Sequence, residues 1–260
     1  LEPADQIDDA VVRRRRRGNR SVPTAARMRF EAIHAEIRER ICLLRYPPGH
    51  RLVESELARE FGMSRTPMRR VLQRLEYEGL VESRHGVGTI VTLIDRQALL
   101  EIDTLRMKLA EISGEMTLLP CDGDAIGRMR QLAERCRSLG ERTGTNARID
   151  TEKFDIEKFD IEKFDIEKFG LLSIAVQKEV SRSIGNVPLR DISDRLFFQT
   201  SRMWLQLLSR KNWAEEVEAF GGEIGDLIDA LELNDLNSLH FVRRNHISMS
   251  RLRMQGYFAK

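Results

Sequence analysis

The sequence predicts a mainly α protein: an N-terminal winged helix-turn-helix followed by an antiparallel all-α bundle of six to seven helices. Three observations carry this. Between Arg51 and Thr92, two short helices and a glycine-bearing hairpin follow one another in a single uninterrupted run. Beyond Leu99 the apolar residues recur at helical spacing, with no strand-like alternation. Short breaker clusters then cut that helical region into pieces of bundle length, at Gly185-Asn186-Val187-Pro188, Arg210-Lys211-Asn212 and Asn234-Asp235.

Taken in order, residues 1–26 carry five consecutive arginines, Arg13 to Arg17, in a stretch without hydrophobic periodicity. Such a run reads as a disordered basic arm that adds sequence-independent affinity for a polyanion; a solubilising tail is the alternative. From Arg27, Phe30, Ile33, Ile37 and Ile41 fall on one helical stripe, which Pro47-Pro48-Gly49 ends. Glu54 to Phe61 forms a short helix, with Gly62 at the left-handed position past its end. Ser64 is placed to cap the next helix through its hydroxyl, and Pro67 falls in the first turn, where its missing N–H costs nothing. Met68, Val71, Leu72 and Leu75 make its apolar stripe. The opposite face holds Arg65, Thr66, Arg69, Arg70 and Gln73, the residue types that read base edges and phosphates when a helix enters a major groove. Strands at Leu80–Ser83 and Thr89–Thr92 enclose a tip with His85 and Gly86, a wing able to approach DNA closely. Double-stranded DNA is therefore the expected partner of residues 27–93. Residues 94–98 link them to an all-α region, 99–256.

In that region Leu105, Leu109, Ile112 and Met116 define the stripe of a helix from Leu99 to Leu119, closed by Pro120. Helices follow at Ala125–Leu139, Gly170–Ile184, Leu189–Ser209, Trp213–Leu233 and Asp235–Met254, a pattern that packs as an antiparallel bundle. Between Asp150 and Phe169 the unit Asp-Ile-Glu-Lys-Phe recurs three times after one imperfect copy. At about 100° per residue, a five-residue period scatters Phe154, Phe159, Phe164 and Phe169 around an axis, so they cannot all share one buried face. A local tandem duplication, lengthening a loop or a helix that enters the bundle, accounts for it.

Composition narrows the function classes. Hydrophobic residues are 41% and charged residues 32%, which fits a globular chain, and no apolar stretch is long enough to span a bilayer. No secretory signal is visible, and Cys42, Cys121 and Cys136 form no CxxC, as expected of reduced thiols in a cytoplasmic protein. Net charge is only +2, so nucleic-acid binding rests on where the charge lies. No nucleophile elbow, phosphate-cradling loop or HExxH motif points to an enzyme.

The residues Ser64-Arg65-Thr66-Pro67, Arg69, Leu72, Leu75, Gly79-Leu80-Val81 and Gly88-Thr89-Ile90-Val91, with Pro48-Gly49-His50-Arg51-Leu52 upstream, resemble the DNA-binding domain of the GntR family of bacterial transcription regulators. Arg70 departs from the family pattern, which has an acidic residue there. The helical region resembles more loosely the fatty-acid-regulator branch, with its FCD-type C-terminal domain. The resemblance implies a homodimer on a palindromic operator, acting as a repressor that answers to a small organic acid or a derivative bound in the bundle. It also implies a divalent metal held by an aspartate and three histidines. The chain keeps only His246 of that set: Phe169-Gly170 stands where a phenylalanine–histidine pair is expected, Glu223-Ile224 where a glutamate–histidine pair is, and Asp165 is one position out of register. No metal or other cofactor is therefore expected. Arg106 matches an arginine near the family's pocket and, with His246, is the candidate for a carboxylate-type effector; a salt bridge from Arg106 to Glu111 or Asp103 is the structural alternative. Arg195 and Arg202, on the helix with Trp204, are further candidates. The competing function is a constitutive DNA-binding protein whose bundle only dimerises.

Overall fold

The computed structural model describes residues 24–93, 95–116, 118–146, 156–208 and 210–258. The arginine run and the first repeat copy lie outside these.

The N-terminal unit starts with α1 (Ala25–Cys42), whose first turn is capped by the Thr24 hydroxyl accepting from Arg27 N–H at 3.3 Å. Ile33, Ile37 and Ile41 bury the predicted stripe against the next helices. Strand β1 (Arg51–Leu52) leads into α2 (Glu54–Glu60), then α3 (Arg65–Tyr77), with Met68, Val71, Leu72 and Leu75 buried. Gly62 (φ 57°) and Gly79 (φ 77°) end the two helices in the left-handed region that glycine tolerates. Ser64 stands at the N-cap of α3, but its hydroxyl accepts no backbone N–H, so the sequence expectation fails there in its detail. The wing is β2 (Val81–Arg84) and β3 (Gly88–Val91), paired with Ser83 opposite Thr89 and Arg84 opposite Gly88. The sheet has a third strand the sequence did not suggest: two-residue β1 pairs with β3, giving the order β1-β3-β2.

The helical region consists, among the described residues, of α4 (Arg96–Glu115), α5 (Ala125–Asn146), α6 (Ile156–Arg182), α7 (Val187–Leu207), α8 (Arg210–Glu232) and α9 (Leu236–Phe258). Asp95 caps α4 and Asn186 caps α7, each accepting a backbone N–H three residues on, at 2.7 and 3.0 Å. Helix α4 stops at Glu115, four residues before the expected end, because Leu118 and Leu119 pair with the chain after α6 instead; Leu119 N–H donates to Ser183 C=O at 2.8 Å. Helix α6 starts well before Gly170 and takes in most of the repeat. Phe169, the last repeat phenylalanine, is fully buried against Trp204, Trp213 and Phe220, with ring centroids 4.8, 5.6 and 5.0 Å away.

One expectation is reversed. The apolar stripe of α4 does not pack inward as a stripe in a bundle would: Leu105, Ile112 and Met116 are exposed and Leu109 is half-buried, whereas Leu99, Asp103, Ala110, Ser113 and Gly114 are buried. Asp103 and Ser113 are buried with hydrogen-bond partners, which offset the cost of taking polar groups out of water.

Helix α7 packs both on α4 and on α1, so one apolar cluster runs from Ile37 and Ile41 through Leu43 to Phe169, Phe197 and Phe198.

Candidate DNA interface and effector cavity

On α3 the buried stripe turns inward, which leaves Arg65, Thr66, Arg69, Arg70 and Gln73 exposed together on the opposite face, next to exposed Ser64. His85 and Gly86 (φ 74°) form the exposed tip of the wing. The arginines and polar residues of α3 thus share one helix face, as the sequence periodicity implied. Two residues were missed. Arg51 on β1 is exposed and lies along the wing, its Nε 3.5 Å from where a Cβ on Gly88 would stand. Glu54 on α2 forms a two-point ion pair with Arg69, Nε to Oε2 at 2.9 Å and Nη2 to Oε1 at 3.1 Å. That carboxylate holds the Arg69 guanidinium above its ordinary pKa. No carboxylate among the described residues pairs with Arg65 or Arg70. Only the folded chain brings Glu54 to Arg69, fifteen residues apart in sequence, so no sequence pattern pointed to it.

Within the bundle, a cavity is lined by Arg106, Thr200, Trp204, Glu223, Arg243 and His246, among others. Arg106 donates to Asp103 Oδ1 at 2.8 Å and to Thr200 Oγ1 at 3.0 Å. Burial lowers its pKa, and the Asp103 carboxylate opposes the shift. The salt bridge read as the alternative therefore exists, and Arg106 also faces the cavity. His246 lies at its edge, 2.8 Å from Asp226 Oδ2. The sequence overlooked Arg243, which pairs with Glu223 and donates to Gln177 Oε1 at 3.3 Å. Its Nε–H, like the Trp204 indole N–H, is buried with no acceptor among the described residues. Such buried donors cost about 1–3 kcal/mol each when left unpaired.

Arg195 and Arg202 do not line this cavity; both turn to the N-terminal unit. Arg195 lies over the Tyr77 ring at 5.4 Å. Arg202, fully buried, donates to Thr92 Oγ1 at 2.5 Å, and burial lowers its pKa to about 10. Beside it Gln199 donates to Glu78 C=O at 2.6 Å. Helix α7 thus shows Thr200 and Trp204 to the cavity and Gln199 and Arg202 to the winged unit.

The residues do not fit the metal implied by the family resemblance. A Cβ on Gly170 would come within 2.6 Å of Leu43 and 2.9 Å of Leu205, so a side chain there requires both leucines to move. Glu223 is held by Arg243, and His240 sits on Ser183 Oγ at 2.9 Å. Asp165 is 3.7 Å from Lys168 on its own helix.

Residues 30–91 match the model of the bacterial regulatory proteins of the gntR family. The chain is 33% identical over 109 residues to an HTH-type transcriptional regulator in an unstable DNA locus of Streptomyces ambofaciens, a match over 41% of this chain and 45% of that protein. It is 30% identical over 119 residues to an HTH-type transcriptional regulator from the TAR-I ttuE-ttuC' intergenic region of Agrobacterium vitis, over 44% of this chain and 67% of the relative. The chain thus spans less than half of the Streptomyces relative. Among solved structures, E. coli McbR/YncC superposes with a TM-score of 0.63 at 15% identity, covering 88% of this chain and 98% of that one, which shows a shared fold. These matches and the winged unit agree: the chain belongs to the GntR family of bacterial regulatory proteins.

Proposed function

We propose that the chain is a ligand-responsive repressor that binds a palindromic operator as a homodimer and answers to a small carboxylate-type effector. The observation that carries this reading is helix α7, which touches the cavity through Thr200 and Trp204 and the winged unit through Gln199 and Arg202. Residues 27–93 read DNA and residues 99–256 bind effector and dimerise; the basic arm of residues 1–26 adds phosphate affinity. Arg65 and Arg69 contact guanine O6 and N7, Thr66, Arg70 and Gln73 contact bases or phosphates beside them, Ser64 a phosphate, and His85 and Gly86 the minor groove or backbone. One recognition helix reads only a few base pairs, so a two-fold related second copy is needed for operator specificity. The outward apolar residues Leu105 and Ile112 on α4, with Phe241 and Met249 on the neighbouring α9, support that dimer.

A carboxylate entering the cavity competes with Asp103 for Arg106, which frees Thr200 and shifts α7 against the winged unit. Binding must favour one domain arrangement over the other for this to change operator affinity. The test is thermal denaturation of the full chain against a panel of small carboxylic acids, followed by operator binding. At least one acid should raise Tm and weaken operator binding, and Arg106→Ala should abolish both effects. Absence of any shift across the panel, with operator binding unaffected, would leave a constitutive DNA binder whose bundle only dimerises.

A further inference from the structure

The pair between Glu54 and Arg69 has a geometry that bears on how the recognition helix reads DNA. Arg69 is well exposed on α3, and Glu54, the first residue of α2, reaches it from the preceding helix. The carboxylate takes the Nε edge of the guanidinium: Nε–H donates to Oε2 at 2.9 Å and one Nη2–H to Oε1 at 3.1 Å. An arginine has five N–H donors in a planar fork. This arrangement uses two and, among the described residues, leaves the Nη1–Nη2 end free, the end that meets O6 and N7 of a guanine bidentately. Arg65 and Arg70, on the same helix face, have no such brace among the described residues.

We infer that Glu54 is a specificity-determining positioning residue: it fixes the Arg69 guanidinium so that its free edge is presented to one guanine in each half-site. The inference rests on the proposed role of Arg69 as a base reader. Its physical basis is the entropy of a long side chain. An unbraced arginine loses rotamer freedom when it binds, and can satisfy itself equally on a phosphate; a braced one is ordered beforehand and its direction is set. Glu54 also brings negative charge towards the DNA backbone, which opposes binding to any sequence. It therefore lowers non-specific affinity while it sharpens discrimination.

These opposed effects make the idea testable with the full chain and a palindromic duplex selected by it from a randomised library. Affinity is measured by fluorescence anisotropy for that duplex, for versions in which each guanine of a half-site is replaced in turn, and for an unrelated duplex. Glu54→Gln should lose roughly 3- to 10-fold of the discrimination at one guanine position, matching the ordering of one side chain, while affinity for the unrelated duplex stays level or rises. Arg69→Ala should lose discrimination at the same position, and adding Glu54→Gln to it should change that position no further. Glu54→Asp, which keeps the charge but shortens the reach, should fall with Glu54→Gln in discrimination, and melting curves confirm that each variant is folded. Unchanged or improved discrimination in Glu54→Gln overturns the inference and makes Glu54 a clamp that must let go. If Arg69→Ala keeps every guanine preference, the base-reading role itself is wrong, and the positioning role goes with it.

Discussion

His240 shows how far a single buried residue can set the response of the fold to acid. It is almost fully enclosed, with the Ser183 hydroxyl at 2.9 Å, and burial lowers its pKa from 6.5 to about 4. Ser183 donates its own proton to Val180 C=O at 2.7 Å, so a neutral His240 satisfies the site by donating from Nε2 to the hydroxyl oxygen. A depressed folded pKa means that the unfolded chain takes up the proton first. The stability from this group is complete above pH 6.5 and is lost as pH falls towards 4, by up to about 3 kcal/mol at 1.36 kcal/mol per pKa unit. Urea unfolding at pH 7 and pH 4.5 should show that loss in the native chain and a smaller one in His240→Gln, whose amide can donate to the same hydroxyl; equal losses would remove His240 as the cause. At this scale the sequence was informative about exposure and silent about partners. The spacing of Met68, Val71, Leu72 and Leu75 was enough to leave Arg65, Arg69 and Arg70 outward. That Glu54 holds one of those arginines depends on the angle between two helices, which no local pattern encodes.

Among the elements, α4 and α6 show why periodicity finds a helix more easily than it finds its inner face. Helix α4 has an apolar stripe and a polar one, and the rule that the apolar stripe faces the core fails because Asp103, Arg106 and Thr200 satisfy one another inside. What made the inner face polar is the cavity, and cavities leave no periodic signature. Helix α6 shows a different limit: glycine at position 170 read as the start of a helix but lies within one, where the absent side chain lets Leu43 and Leu205 close in. Gly170→Ala should therefore destabilise the chain by about 1–3 kcal/mol through overpacking, even though alanine favours helix. Chemical denaturation would register it, and a stabilised variant would mean that Leu43 and Leu205 yield at no cost. Gly79 resists a side chain on two counts, its left-handed backbone and the Gln199 amide, which lies 2.5 Å from where a Cβ would stand.

For the whole molecule, the two units were legible as separate stretches of sequence, but their mutual contact was not. Arg202 read as a pocket candidate because it shares a helix with Trp204; its place at the Thr92 hydroxyl follows from how α7 lies across the N-terminal unit. The continuous apolar cluster through Leu43 and Phe198 predicts that both units unfold together. Calorimetry of the full chain should show one transition whose calorimetric and van't Hoff enthalpies agree, and two separated transitions would show that the contact is too weak to couple them. Arg202→Met, which removes a buried cation that has no carboxylate partner among the described residues, should raise stability by about 1–3 kcal/mol, as read from the same melt. A loss instead would mean that the Thr92 contact outweighs the cost of burying the charge.

The pentapeptide repeat has a consequence for how this chain can vary in length. Phe169 fastens α6 to three aromatic rings, and the described copies lie on its N-terminal side. One more copy, or one fewer, would change the helix by about 7.5 Å at 1.5 Å per residue without turning anything downstream of that anchor. Gain or loss of a whole pentapeptide thus changes the length of α6 on one side of Phe169, while the residues that face the cavity keep the same orientation.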